Sequence, residues 1–180
     1  MFRFAKSITI IALIAALASC ASRYRLDTYM TFEEATSKIK VRATQLVIDA
    51  AIGEPRAEEK LVPGTGDVLV VTFATRWHPV VEADYPVLQF DENFTGMFYL
   101  ELPTRRMAGT KIDLKGASLI QILGRYEVPR EAKLFLPEIG TAVIDSIVSN
   151  RSYFTINGTF ANDDGKEMAL MGQFRAKTEN

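Results

Sequence analysis

Histidine and cysteine are almost absent from this 180-residue chain, which holds one of each. A zinc or copper site usually takes several imidazole or thiolate ligands, so these counts argue against such a site. A single cysteine also leaves no pair for a disulfide within the chain. The stability of the folded part must therefore come from packing, and no cofactor is expected.

The chain also lacks a large excess of positive or negative charge, since it contains 21 Lys and Arg residues and 22 Asp and Glu residues. Nucleic-acid binding needs a basic surface that attracts phosphates, and this composition does not supply one. Hydrophobic residues make up 48% of the chain and charged residues 24%, which is typical of a folded globular protein. We therefore expect one domain of ordinary size and no nucleic-acid partner.

The amino terminus has the layout of an export signal. Arg3 and Lys6 precede an apolar run over residues 8–18, and a positive region followed by a short apolar region is typical of a secretory signal peptide. As a helix the run would extend about 16 Å, roughly half of a hydrocarbon core, so it is too short for a comfortable transmembrane helix. An ordinary signal peptide, cleaved after Ala18 to leave Ser19 first, remains an alternative.

The segment Leu17-Ala18-Ser19-Cys20 resembles the lipobox of bacterial lipoproteins, in which a branched apolar residue and two small residues precede a cysteine. The resemblance implies that the leader, residues 1–19, is cleaved between Ser19 and Cys20, and that lipid on Cys20 holds the protein on a membrane. It also implies a place in the cell envelope. Because Ala21 stands where many inner-membrane lipoproteins carry Asp, a bacterium with two membranes would place the protein on the periplasmic face of its outer membrane.

The rest of the chain is predicted to be a short tether over residues 20–30 and a single, mostly β domain over residues 31–180. The domain opens with a capping-box pattern, Thr31-Phe32-Glu33-Glu34. Apolar residues then recur at spacings of three and four: Phe32, Ala35, Ile39, Ala43, Leu46 and Ala50. This spacing predicts an amphipathic helix over about residues 32–52, although the alternation over residues 38–43 also fits a strand.

From Gly66 onward, short apolar runs are separated by turn residues, a pattern typical of an all-β domain. The candidate strands are Val68–Thr75, Val87–Phe90, Met97–Leu102, Ser118–Tyr126, Lys133–Leu136 and Thr141–Val148. Together with a closing hairpin, they predict a mainly β fold. We expect an antiparallel β-sandwich or small barrel with one N-terminal helix.

The closing hairpin is the most specific structural prediction. Folding about Asp164 sets four pairs opposite each other: Phe160 and Met168, Gly158 and Leu170, Ile156 and Gly172, and Phe154 and Phe174. Each glycine then faces a large apolar side chain, which is a plausible way to fill a curved sheet. The loop over residues 162–166 has suitable turn chemistry.

Patterns that would carry catalysis or metal binding are weak. His78, in Arg76-Trp77-His78-Pro79, has no recognisable nucleophile partner and is interpreted as a loop histidine. Gly64-Thr65-Gly66 precedes its strand instead of following it, so it predicts a turn and not a phosphate loop. Asn162-Asp163-Asp164 and Asp91-Glu92-Asn93 gather oxygen atoms, but neither matches a calcium loop, and both are interpreted as solvated turns.

These observations favour binding over catalysis and leave three functions open. The first is a membrane-anchored envelope lipoprotein that acts as a non-catalytic interaction module for an envelope protein, with an exposed apolar patch or a free strand edge. The second is a carrier of a lipid or another apolar ligand, with an enclosed cavity. If they are not ordinary core, Phe94, Phe98, Tyr99 and residues 76–81 would line such a cavity or a partner surface. The third is an envelope hydrolase with His78 or two acids at the base of a cleft.

Overall fold

A computed structural model describes residues 28–32, 35–54, 61–74, 95–123 and 133–178. Within these ranges the chain is mainly β, and its strands form one sheet. The strands are β1 (Thr28–Phe32), β2 (Ala35–Lys38), β3 (Lys40–Ala51), β4 (Val62–Pro63), β5 (Gly66–Ala74), β6 (Thr95–Leu102), β7 (Lys111–Asp113), β8 (Ser118–Leu123), β9 (Lys133–Val148), β10 (Arg151–Ala161) and β11 (Glu167–Thr178). Over the same ranges the chain forms no helix of sufficient length and apolarity to cross a membrane.

Seven of the described strands close into a barrel in the order β3, β5, β6, β8, β9, β10, β11. Neighbours are antiparallel except at the closure, where β3 and β11 run parallel and pair Gln45 with Lys177 and Leu46 with Thr178. β1 pairs with the first half of β11 beside this closure, and β2 pairs with β1. The mainly β fold is thus confirmed and is a barrel. Because β1 starts at Thr28, the last residues of the range predicted as tether belong to the sheet.

The helix predicted over residues 32–52 is wrong, because β2 and β3 occupy this part of the chain. The apolar spacing misled because the pairing of β3 with β5 shifts register twice, between Val41 and Ala43 and between Val47 and Ala50. Each shift inserts extra residues into β3 and changes the face on which the following side chains fall. Leu46 consequently lies in the interior cluster and Ala50 in the outer cluster, although the spacing had placed both on one face of a helix.

The later strands follow the sequence closely. β5, β6 and β8 begin within two residues of their predicted starts. The predicted strands Lys133–Leu136 and Thr141–Val148 form one continuous strand, β9, because Pro137 and Gly140 lie within the strand and not in a turn. The predicted strand Val87–Phe90 lies outside the described residues.

The closing hairpin is confirmed in register as well as in position. All four predicted pairs occur: Phe160 with Met168, Gly158 with Leu170, Ile156 with Gly172, and Phe154 with Phe174. In the connecting turn, the side-chain oxygen of Asn162 accepts hydrogen bonds from the backbone N–H groups of Asp164 and Lys166, at 3.1 and 2.8 Å. Gly165 has a φ of +74°, which glycine adopts without steric cost.

Large apolar side chains fill the barrel interior. The largest fully buried ones are Phe73, Phe98, Phe154, Phe160, Phe174, Met30, Leu46, Leu69, Leu100, Leu114, Ile120 and Ile144. Phe98 meets Phe160 edge to face, with 6.0 Å between ring centroids, and stacks on Phe174 at 6.5 Å. Aromatic pairs of this kind add roughly 0.5–1.5 kcal/mol beyond the burial of their area. The core therefore lies inside the barrel, where a ligand would otherwise sit.

Part of the outer face is buried as well. A second apolar cluster consists of Ala50, Val68, Val70, Tyr99 and Leu119. Ile52 and Leu61, from the connection between β3 and β4, pack against it. Because β5 is buried on both faces, its sequence reads as a continuous apolar run without alternation.

The two ends of the barrel differ. At the hairpin end, β10 turns into β11 through residues 162–166. At the opposite end, residues 103–110 connect β6 to β7, and residues 149–150 connect β9 to β10. Leu114 is fully buried and belongs to the interior cluster.

Candidate functional site

The barrel wall is interrupted along one side of β9. β7 pairs with residues 141–143 of β9, and β8 pairs with residues 133–135 on the same edge of β9. Between these two ladders, residues 136–140 have no strand partner on this side among the described strands. The connection from β7 to β8 stays joined to β9 here through the Leu114 N–H, which donates to the Gly140 carbonyl at 3.1 Å. A groove lies along the interruption.

The turn between β7 and β8 is held by local hydrogen bonds. The carboxylate of Asp113 accepts a bond from the backbone N–H of Lys115 at 3.0 Å, and the Ser118 hydroxyl donates to the Leu114 carbonyl at 2.9 Å. Gly116 has a φ of +78°, in the left-handed region that favours glycine. The turn thus satisfies its own polar groups while Leu114 enters the interior.

Two glycines make room for Leu114 beneath the groove. Gly140 and Gly158 are cross-strand partners on β9 and β10. A Cβ atom on Gly158 would overlap Cδ1 of Leu114, and a Cβ atom on Gly140 would overlap the backbone of Gly158. Gly140 also has a φ of +151°, which L side chains rarely adopt. The close packing of Leu114 therefore depends on both glycines.

The groove has a volume of about 460 Å³ and is lined by Lys111, Ile112, Asp113, Lys115, Glu138, Ile139, Gly140 and Thr141. Ile139 is 69% exposed, more than any other large apolar residue in the described ranges. It lies beside a register shift at Glu138, where β9 carries one residue more than β10. Such bulges re-aim side chains and often lie next to functional sites.

The charged groups of the groove are of both signs and lie at the surface. Two lysines and two carboxylates line it, so its charges balance. Paired catalytic carboxyls usually have one member in an apolar environment, whereas Asp113 and Glu138 are both exposed. Within the described ranges, no group of three or more His, Cys, Asp or Glu residues is placed to hold a metal ion.

Several residues singled out in the sequence lie outside the described ranges. They are Ser19, Cys20, His78, Asp91-Glu92-Asn93 and Phe94. Gly64-Thr65-Gly66 forms the predicted turn, and the Gly64 N–H donates to the Asp49 carbonyl at 3.2 Å. Asn162-Asp163-Asp164 is the hairpin turn, in which the Asn162 side-chain oxygen serves two backbone N–H groups and is not free for calcium.

The two described aromatic candidates are core residues, as the plainer interpretation predicts. Phe98 is fully buried in the interior. Tyr99 lies in the outer cluster, where its hydroxyl donates to the Gln121 side-chain oxygen at 3.4 Å. Neither residue lines an open cavity in the described part of the barrel.

Sequence reasoning missed Ile139. The segment Pro137-Glu138-Ile139-Gly140 looks like a break between two strands, so no role was expected for its isoleucine. The available signal was a large β-branched side chain inside a segment with the composition of a turn, where it has no core face to join.

Similarity to known proteins does not assign this surface a function. The residues of the barrel and groove therefore carry the functional argument. The chain matches no protein-family model, no curated protein and no solved structure.

Proposed function

We propose that this chain is a lipid-anchored lipoprotein of the bacterial cell envelope, and that its barrel is a non-catalytic module which binds another envelope protein at the Ile139 groove. The anchor rests on the lipobox ending at Cys20. In a bacterium with two membranes, the protein belongs on the periplasmic face of the outer membrane. The binding role rests on the surface of the barrel.

The observation that carries the binding role is the exposure of Ile139 beside the groove. Burying an isoleucine side chain from water contributes about 1.5–3 kcal/mol, so a partner that covers it gains substantially. Lys111 and Lys115 on one wall and Glu138 on the other offer charges of both signs. Charges around an apolar contact mainly set orientation and specificity, and this groove would therefore select its partner by charge pattern.

The two alternatives have less support. A carrier needs an enclosed apolar cavity, whereas Phe98, Phe160 and Phe174 occupy the described interior. A hydrolase needs His78 or a pair of acids at the base of a cleft. His78 lies outside the described residues, and the carboxylates of the groove are exposed.

The test compares three forms of the lipidated protein: wild type, Ile139→Asp, and Met171→Asp. Met171 is also an exposed apolar residue, but it lies on β11, away from the groove. Proteins of the native envelope captured by wild type are identified, purified and titrated against each form. We expect Ile139→Asp to weaken binding about 10- to 100-fold, the equivalent of one lost buried side chain.

Met171→Asp should bind as wild type does. If a partner bound all three forms with equal affinity, the groove would not be its binding site. If the wild type bound no envelope protein saturably, the binding role itself would be wrong.

A further inference from the structure

Three cationic residues lie side by side on the outer face of the barrel wall, far from the turn of the closing hairpin. They are Arg151 at the start of β10, and Arg175 and Lys177 near the end of β11. All three are exposed, whereas their chain neighbours Ser152 and Ala176 are buried. Because successive side chains of a strand point to opposite faces, the three cations leave the sheet on its outer face.

The register of the hairpin places two of these cations directly opposite each other. Arg151 pairs with Lys177 across the β10–β11 ladder. Arg175 precedes Lys177 by two residues on the same strand and lies opposite Tyr153. Opposite residues of an antiparallel pair have Cα atoms about 4.5–5.5 Å apart, and alternate residues of one strand are about 7 Å apart. Side chains as long as those of arginine and lysine can therefore reach a common point above this surface.

No carboxylate balances this charge in the described part of the chain. The other residues that pair with the three cations are uncharged: Tyr153, Val148 and Gln45. On β9, the carboxylate of Asp145 accepts a hydrogen bond from the Thr155 hydroxyl at 2.8 Å. Arg106 forms an ion pair with Asp67 at 2.8 Å, but within the described ranges none of the three outer cations forms one.

This arrangement is unfavourable for the barrel alone. Like charges directly opposite each other destabilise an antiparallel pair. The chain as a whole contains nearly equal numbers of cationic and anionic residues, 21 and 22, so three adjacent unpaired cations are a local departure from an even balance. A departure that the fold itself does not compensate is expected at a functional site. A bound anion would replace the repulsion with attraction.

We infer that Arg151, Arg175 and Lys177 form a phosphate site, which binds a ligand with a terminal phosphate or diphosphate group. A guanidinium group matches phosphate oxygens with two parallel hydrogen bonds, and the lysine ammonium adds a compact positive charge. A carboxylate carries one negative charge, whereas a terminal phosphate carries about 1.5 to 2 near neutral pH. Phosphate therefore neutralises more of the charge at this site than a single carboxylate would.

The phosphate site is separate from the Ile139 groove. Ile139 pairs with Thr159, which lies eight residues after Arg151 on β10, or about 27 Å of strand. A ligand at one site therefore leaves the other accessible. The inference depends neither on the binding role of the groove nor on the lipid anchor.

The test measures the thermal unfolding of the full-length protein in a non-ionic detergent. Pyrophosphate is titrated at an ionic strength held constant with sodium chloride, because salt alone screens the repulsion between the cations. The site variants are Arg151→Gln, Arg175→Gln and Lys177→Gln. The matched control is Lys133→Gln, which removes an exposed cation at the start of β9, the end of that strand far from Arg151.

We expect pyrophosphate at ten times its dissociation constant to raise the Tm of the wild type by about 3–5 °C. Each site variant should weaken this binding at least about tenfold, since it removes one charge-assisted contact. Lys133→Gln and Ile139→Asp should bind as the wild type does. Without ligand, Arg151→Gln and Lys177→Gln should unfold at the wild-type temperature or above, because each removes the repulsive pair. Weaker binding is then distinct from a failure to fold.

A second arm replaces pyrophosphate with detergent micelles that contain phosphatidic acid. A rise in Tm with these micelles alone, abolished in the site variants, would assign the phosphate to a lipid headgroup, whereas a rise with pyrophosphate assigns it to a soluble ligand. The inference would be overturned if neither raised the Tm beyond chloride, or if Lys133→Gln weakened binding as much as the site variants. Equal stabilisation by a hexaglutamate peptide would also overturn it, in favour of an acidic segment of a protein.

Discussion

Gly140 of β9 and Gly158 of β10 face each other in the barrel wall, and together they admit the side chain of Leu114 to the interior. The two glycines differ in what surrounds them. A Cβ atom on Gly140 would meet backbone atoms of Gly158 and Asn157, which cannot withdraw. A Cβ atom on Gly158 would first meet Cδ1 of Leu114, the far end of a flexible side chain. The packing beneath the groove should therefore tolerate an added Cβ atom at Gly158 better than at Gly140.

We expect Gly140→Ala to lower the free energy of unfolding by about 2–5 kcal/mol, since overpacking and an unfavourable φ of +151° add together. Gly158→Ala should cost less, because Leu114 can rotate. Gly66→Ala is the control, since its Cβ would have no neighbour nearer than 3.7 Å. Urea denaturation measures all three, and equal losses at Gly140 and Gly66 would contradict the packing described.

Two serines with inaccessible hydroxyl groups make opposite predictions. The hydroxyl of Ser118 donates to the Leu114 carbonyl at 2.9 Å, whereas the hydroxyl of Ser146 is buried without a partner among the described groups. We expect Ser118→Ala to lower the free energy of unfolding by about 1 kcal/mol, the net value of one hydrogen bond. Ser146→Ala should leave it unchanged or raise it by up to about 1 kcal/mol, because the hydroxyl that it removes has no hydrogen-bond partner to lose among the described groups. Thermal or urea denaturation measures the free energy of unfolding of both variants. A loss of stability of the same size in both would be inconsistent with this difference.

The closing hairpin shows which part of the fold the sequence could predict. Its register depends on local information: a polar turn and alternation on both sides of it, with Phe154 and Phe174 marking the same face. No bulge interrupts the pairing of β10 with β11, so the period of two is visible in the sequence. A short-range pattern of this kind needs no knowledge of the rest of the chain.

β3 shows why the amino-terminal part could not be predicted. Its register shifts near Arg42 and Ile48 hide the strand period, and they are set by pairing with β5, which the sequence of β3 does not encode. The closure of the barrel is less local still, because Gln45 pairs with Lys177 at the other end of the chain. Tertiary pairing overrides local propensity in such segments.

The groove escaped prediction for a related reason. Pro137 and Gly140 are common turn residues, and proline is also tolerated at strand irregularities. Whether this segment is a turn or part of a strand depends on β10, which pairs with β9 on both sides of the irregularity. Only with β10 in place does Ile139 become an exposed side chain on a strand beside a groove.

The filled interior separates a binding module from a carrier. Phe98 contacts Phe160 and Phe174, so we expect Phe98→Ala to lower the free energy of unfolding by about 3–5 kcal/mol. The wild-type barrel should not enhance the fluorescence of an apolar probe such as N-phenyl-1-naphthylamine, because its core is occupied. Any cavity left in folded Phe98→Ala should admit the probe. Strong stoichiometric binding to the wild type would instead favour the carrier.

The membrane anchor is decided at Cys20, with Ser19→Ala as a matched control. Expressed in a bacterium with lipoprotein processing, the wild type should begin at Cys20 and carry the mass of its acyl chains, and it should partition with membranes. Ser19→Ala keeps a small residue before the cysteine and should behave in the same way. Cys20→Ser should lose the acyl mass and retain its leader, because serine has no thiol to receive the diacylglycerol. Intact mass and membrane fractionation are measured for every form.

If the wild type and Cys20→Ser were both soluble and began at residue 19, cleavage would be that of an ordinary signal peptide. The barrel would then be a freely diffusing secreted binder.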